Sequence, residues 1–192
     1  MSWLLPLPVA VPLLGAIVVT AGDHLMPRRM QDLIGIGAAG GACGLSLVIM
    51  LDSERRTVLH WFGGWHPKGG VSIGIDFAAD PLGAGMAALA AGLALLALIY
   101  SFSYLRESSR HFDALMLIFC GAMCGFALSG DLFNIFVWFE LMGVAAYALA
   151  GFKVEEMGPV EGAYNFAIVN TAGAYLMLLG IGLLYGRTGA VN

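Results

Sequence analysis

Charge is what this sequence has least of. Lysine and arginine number 9 and aspartate and glutamate 13 among 192 residues, 11% in all, against about 25% in an ordinary soluble domain. The net charge of −4 leaves no basic patch for nucleic acid, which is excluded as a partner. Cysteine is scarce, at three, too few to ligate an iron–sulfur cluster. Cys120 and Cys124 share one helix face with no histidine or carboxylate beside them in the span, so they are expected to be small packing residues. No P-loop, nucleophile elbow or metal-ligand cluster occurs. His24, His60, His66 and His111 fall in or beside loops. The stretch GIGAAG, residues 35–40, matches G-x-G-x-x-G but follows no strand and lies inside an apolar run, which rules out a dinucleotide site. No metal site and no cofactor is expected.

What remains is apolar. Hydrophobic residues make up 59% and the mean hydropathy is +0.84. They fall in blocks of roughly 20 residues, the length that crosses a bilayer. The blocks predict a polytopic, all-α membrane protein with about six spanning helices, at residues 3–21, 31–51, 81–104, 112–129, 131–152 and 160–185. One transmembrane domain, residues 1–192, is expected. The first block lacks a basic segment before it and is followed by Arg28 and Arg29, so it reads as a retained helix ending on the cytoplasmic side. That orientation puts Arg106, Arg110 and Lys153 inside as well, and Arg55, Arg56, Lys68 and Arg187 outside, a slight bias.

The connections are punctuated. In the long one, residues 52–80, Val71, Ile73, Ile75 and Phe77 alternate with Ser72, Gly74 and Asp76. VLHWFGG precedes them, and Pro67, Gly69 and Gly70 lie between. This predicts a small β-hairpin between helices two and three, at the membrane surface, with Trp61 and Trp65 at headgroup depth. Asp80-Pro81 suits an N-cap and first helical residue. At Gly130-Asp131 a left-handed glycine would close one helix and the aspartate cap the next, which makes the two antiparallel neighbours. Pro159 is expected to start the sixth helix. Glycine pairs four apart, Gly37/Gly41, Gly40/Gly44, Gly121/Gly125 and Gly182/Gly186, predict close helix approach.

Glu140 breaks the apolar pattern. It lies about 13 Å beyond Asp131 at about 1.5 Å per residue, near the middle of a hydrocarbon core about 30 Å thick. An ionised carboxylate facing lipid there would cost several kcal/mol. The group must stay protonated or meet polar company inside the protein, and either makes it a candidate proton-binding site. Phe136, Val137, Gly143, Val144 and Tyr147 share its face by spacing. Tyr147 offers a hydroxyl two turns away, or is an interfacial aromatic. Asn134 could hold water toward the outer end. On the sixth helix Glu161 and Asn165 share a face, with Asn170 opposite Glu161. Glu161 also suits the helix macrodipole. The asparagines could carry a water chain from Glu140 or simply join helices.

The stretches GDLFNIFVWFELM (130–142), VEGAYNFAIVNTAGAYLMLLGIGLLYGRTGAVN (160–192) and FAADPLGAGMAALAAGLALLALIYSFSYL (77–105) resemble the antiporter-like proton-conducting subunits of respiratory complex I, membrane-bound hydrogenases and Mrp-type cation/proton antiporters. The aromatic-rich FVWFE run looks most like the Mrp and hydrogenase branches. The resemblance implies that Glu140 holds the place of the family's proton-transfer glutamate. It also implies that Asn165 stands where the sixth helix often has lysine, within Glu161-Gly162-Ala163-Tyr164-Asn165. A neutral amide there implies a more proton-retentive Glu140 than in lysine-bearing members. The proton-transfer set is therefore Glu140, Asn165, Tyr147 and Glu161. The family's subunits are about fourteen helices long, built on inverted repeats, so this chain corresponds to an N-terminal part of one: a fragment, a split gene product or a shortened chain.

The expected function is proton or cation/proton translocation within a multisubunit complex in the inner (plasma) membrane. Expected partners are the lipid bilayer, other membrane subunits, and a segment supplying the remaining helices. Protons, with sodium as a second ion, would be the cargo. The chain is not expected to be an enzyme by itself; any quinone-reducing or hydrogen-evolving chemistry would belong to the complex. The alternatives are a structural scaffold subunit or, less in keeping with the residues, a quinone-binding one at Tyr147 or Tyr164.

Overall fold

In lipid the backbone must satisfy its own hydrogen bonds, so long apolar runs become helices and polar residues collect where helices end. A computed structural model of the chain describes residues 2–22, 24–54, 56–64, 74–104 and 111–192, with Ser103 and Tyr104 by backbone alone. Six helices follow this logic: α1 Leu7–Ala21, α2 Arg28–Ser53, α3 Pro81–Tyr104, α4 His111–Leu128, α5 Leu132–Ala150 and α6 Met157–Thr188. Among the described residues all six, α1 taken together with the turn before it from Ser2, are long and apolar enough to cross a membrane. Between α2 and α3, β1 Val58–Trp61 pairs antiparallel with β2 Asp76–Ala79, Val58 opposite Ala79 and Trp61 opposite Asp76.

The helix ends differ from the expected ones in instructive ways. Pro159 does not start α6. The helix begins at Met157 and takes the proline into its first turn, where no backbone donor is needed. It runs on to Thr188, where left-handed Gly189 (φ 72°) closes it by donating to the Tyr185 carbonyl at 2.8 Å. At 32 residues it is about 48 Å long, more than the hydrocarbon core needs. Buried Gln31 donates through Nε2 to the Gly22 and Met26 carbonyls, at 3.3 and 3.4 Å. It so serves the turn between α1 and α2.

The hairpin forms, with its second strand displaced. Pairing covers residues 76–79, and Asp76 is buried along with Phe77, so this strand lacks the wet face that alternation assigned. Trp65, Pro67, Gly69, Gly70, Val71 and Ile73, like the loop arginines Arg106 and Arg110, lie outside the described residues.

Helix α4 is the hub. It packs against α1, α3 and α5, while α2 packs against α1 and α3. Helix α6 packs principally against α5. The core at the hub joins Val9, Ala42, Ala87, Ala91, Cys120, Cys124 and Phe77. The cysteines are free, and Cys124 Sγ donates weakly to the Ala87 carbonyl at 3.7 Å. Of the glycine pairs, Gly121/Gly125 makes the tightest approach. A Cβ on Gly121 would lie 3.1 Å from Leu13, and one on Gly125 would enter the Trp138 indole. Gly37, Gly44, Gly182 and Gly186 face open space.

The contrast gives a direct prediction. Gly125→Ala forces Trp138 off its seat and is expected to cost about 1–3 kcal/mol, the scale of overpacking. Gly37→Ala is expected to be neutral or to stabilise by up to about 1 kcal/mol. Thermal unfolding in detergent checks both; equal behaviour of the two variants would refute this view of the α4–α5 contact.

Candidate functional site

The sequence places polar side chains at two levels of the α5–α6 half, and the structure resolves them into an end cluster and a buried seam.

The end cluster ties three segments together. Asp131 caps α5, its Oδ1 accepting from the Asn134 amide at 2.7 Å. Its Oδ2 accepts from the Asp76 backbone at 3.4 Å. The Asp76 carbonyl accepts from the Gly130 amide at 3.0 Å and from Asn134 Nδ2 at 3.5 Å. From beyond α6, Asn192 Nδ2 donates to Asp76 Oδ1 at 2.6 Å. The Leu132 amide, an orphan donor in the first turn of α5, donates to the Val191 carbonyl at 2.9 Å. Asn134, expected to hold water toward the outer end of α5, is part of this cluster. Gly130 is not left-handed; it is required because a Cβ there would collide with the Asp76 carboxylate. A cleft of about 300 Å³ lies alongside, bordered by Asp131, Ile135, Leu184 and Thr188. Burial pushes the Asp76 carboxyl above its ordinary range; the Asn192 bond pulls it down and the nearby Asp131 charge pushes it up. At the opposite ends of the helices, Asp113 of α4 meets Asp32 of α2, with Arg28 close by.

The seam lies between α5 and α6. A Cβ on Gly151 would lie 2.8 Å from the Ala163 Cβ, and one on Gly143 would lie 2.5 Å from Asn170 Nδ2. The two helices therefore run antiparallel, with Glu140 level with Ala174, one turn from Asn170. Glu140 is half-buried, and its Oε1 is sealed from solvent with no hydrogen-bond partner among the described residues. Asn170 Nδ2 is sealed and unpartnered as well. Tyr147 lies within electrostatic reach of Glu140 and sets its ring edge-on to Phe166, with centroids 5.8 Å apart. An unsatisfied buried polar group costs about 1–3 kcal/mol, so this seam is an expensive place for side chains that only pack.

The structure thus brings Glu140, Tyr147 and Asn170 together. It does not bring Glu161 or Asn165 to them: both are exposed on the far side of α6. Val137 and Val144, grouped with Glu140 by spacing, are 44% and 51% exposed and so stand outside the seam. Spacing alone makes Asn170 only a secondary candidate. The small residues Ala163, Ala167 and Ala174 mark the inward stripe of α6, and Asn170 falls on it. Among the described residues, no three His, Cys, Asp or Glu side chains gather as a metal site would need.

Known proteins share the sequence pattern and the fold. A profile described as NADH-Ubiquinone oxidoreductase (complex I), chain 5 N-terminus matches residues 65–120. One described as NADH:quinone oxidoreductase/Mrp antiporter, TM matches residues 129–192. NADH-quinone oxidoreductase subunit N of Desulforudis audaxviator is 34% identical over 158 residues, covering 80% of this chain and 30% of that protein. A probable K(+)/H(+) antiporter subunit of Rhizobium meliloti is 31% identical over 198 residues, covering 98% of this chain and 35% of its own. Among solved structures, the Mrp complex from Dietzia sp. contains a chain with a TM-score of 0.85 at 27% identity, covering 98% of this chain and 35% of that one. An archaeal membrane-bound sulfane sulfur reductase shares the fold, with a TM-score of 0.88 at 21% identity, covering 98% of this chain and 38% of that one. The chain spans about a third of the length of these relatives.

Two outcomes follow for the end cluster. Asp131→Ala removes the α5 cap and is expected to cost about 1 kcal/mol, whereas Asp131→Asn keeps a capping oxygen and most of the stability. Thermal unfolding in detergent separates the two. The raised Asp76 carboxyl holds its proton longer folded than unfolded, so stability falls as pH rises from the ordinary carboxylate value, about 3.9, through the raised one. Asp76→Asn should remove that fall. An unchanged pH profile in this variant would sink the assignment.

Proposed function

The chain belongs to the family of antiporter-like membrane subunits shared by NADH:quinone oxidoreductases and Mrp-type antiporters, and we propose that its part in such a subunit is to bind and pass protons at Glu140. The observation that carries this reading is the sealed, unpartnered Glu140 Oε1 in the middle of a spanning helix. A carboxyl in that position can be neutral or charged only as its surroundings allow, and intramembrane acids of this kind mark ion and proton paths. A merely structural glutamic acid would be expected to spend both oxygens on neighbouring helices.

In this reading Tyr147 supplies a hydroxyl beside the carboxyl, and protons arrive through polar side chains and water in the α5–α6 seam. Glu161 and Asn165 face away from that seam, on the exposed side of α6, where a neighbouring membrane segment would cover them. That segment would supply the basic group to which Glu140 hands its proton, since Asn165 is neutral. The host would be a multisubunit complex in the inner (plasma) membrane, driven by redox chemistry elsewhere in it or by an ion gradient, with protons or sodium as the coupled ion. The relatives' names support this class: one is a NADH-quinone oxidoreductase subunit and another a probable K(+)/H(+) antiporter subunit.

The test is transport by the assembled complex. Glu140→Gln keeps the size and removes the titration. It is expected to lower proton or cation/proton transport about 100-fold, the scale of losing a positioned proton carrier, with assembly intact. Glu140→Asp should retain part of the rate. An assembled Glu140→Gln complex that transports like the unaltered one would leave the chain a scaffold.

A further inference from the structure

The Asn170 amide and the Tyr147 ring meet where Gly143 has no side chain. The Asn170 amide lies 2.5 Å, and Tyr147 Cε1 3.5 Å, from the position a Cβ would occupy. Glu140 stands one turn earlier on the same helix, and Tyr147 lies within its electrostatic reach. Yet among the described residues Glu140 Oε1 and Asn170 Nδ2 bond neither each other nor any other protein atom, although both are shut off from solvent. One is an acceptor in either protonation state of the acid; the other can only donate. Such a pair, one helical turn apart along the α5–α6 seam, has the chemistry of a bridged contact.

The geometry points to Asn170 as a positioning residue that holds a water molecule against Glu140. The amide Nδ2–H donates to the water oxygen, and the water donates to Oε1. Tyr147 closes the site as a third polar neighbour, which approaches the roughly three hydrogen bonds a buried water makes. The titratable and charged groups of α6, Glu161, Tyr164, Tyr175, Tyr185 and Arg187, are on its exposed side. On α4, Cys124 is engaged with α3. Among the described residues, Tyr147 is the titratable group within electrostatic reach of Glu140. The inference rests on the reading of Glu140 as the proton-binding group, and adds what presents the proton to it. It also gives Gly143 a purpose: a methyl there would push the amide away.

Infrared difference spectra between acid and alkaline conditions test it, on membranes holding the full-length protein. The Glu140 carboxyl band is assigned by its loss in Glu140→Gln. In Asn170→Leu that band is expected to move to higher frequency, as a carbonyl does on losing a hydrogen bond. A water O–H band that shifts in ¹⁸O-water should disappear with it. Gly143→Ala should do the same from the opposite helix, so a folding failure of one variant leaves the other to decide. Asn170→Ser, which keeps a donor, should return the band toward its original position. If the Glu140 band is present and neither Asn170→Leu nor Gly143→Ala changes it or the water band, Asn170 is only a packing residue while the reading of Glu140 stands. If Glu140→Gln removes no band, both readings fall together.

Discussion

Lipid offers the backbone nothing to bond with, and the whole architecture follows from that deficit. Every donor and acceptor must find a protein partner or be lifted out to water. The helices satisfy their own interiors, so the difficulty moves to their ends. Asp80 accepts from the Gly83 amide at 2.6 Å to begin α3, Asp131 does the same for α5, and Gln31 supplies donors to the carbonyls between α1 and α2. The end cluster extends the same solution across distant parts of the chain. Asp76, Asp131, Asn134 and Asn192 come from a strand, a helix cap, a helix interior and the stretch after α6, yet they share one set of bonds.

Inside the membrane there is little hydrophobic drive between helices, because lipid tails are as apolar as leucine. Close packing takes its place. Gly121 seats Leu13, Gly125 seats Trp138 and Gly151 seats Ala163, so the helices meet through small residues at their contacts. Trp138 in turn touches Phe77 of the hairpin, with ring centroids 6.3 Å apart. One side chain therefore connects the α4–α5 contact to the cap over the helix ends. The hairpin is held by the bundle's core as well as by the polar cluster.

What can be read from the sequence divides along the same line. Length and apolarity locate all six spans, and residue type finds the caps at Asp80 and Asp131, because these are local effects. The role of Gly130 is not local. Its missing Cβ makes room for a carboxylate more than fifty residues away, and nothing in the dipeptide announces that. Asp76 escapes the pattern for a related reason: alternation describes a strand with one wet face, while this strand is covered by Asn192 and the α4–α5 turn. The inward face of α6 is hidden differently. The helix is apolar nearly all round, so periodicity does not select a side. Asn165 draws attention by its position in a family pattern, whereas the inward stripe is marked by alanines and contains Asn170.

The site occupies the least self-contained part of the structure. In the most apolar window of each helix, 33–50% of residues are buried for the first four helices, but 17% for α5 and 11% for α6. A carboxyl seated between α1 and α4 would have its surroundings decided by this chain alone. Glu140 is placed where one wall is α6, itself exposed on its outer side. Whatever membrane segment lies against that side will set the field across the seam, and charges act strongly there because little water is present to screen them. If Glu140 binds protons as proposed, a group built in this way is responsive to its neighbours by construction. That is the property a subunit needs if proton uptake at its centre is to follow events elsewhere in a complex. The compact four-helix portion gives α5 a fixed wall through Gly125 and Trp138, and the open α6 side is where such influence can enter.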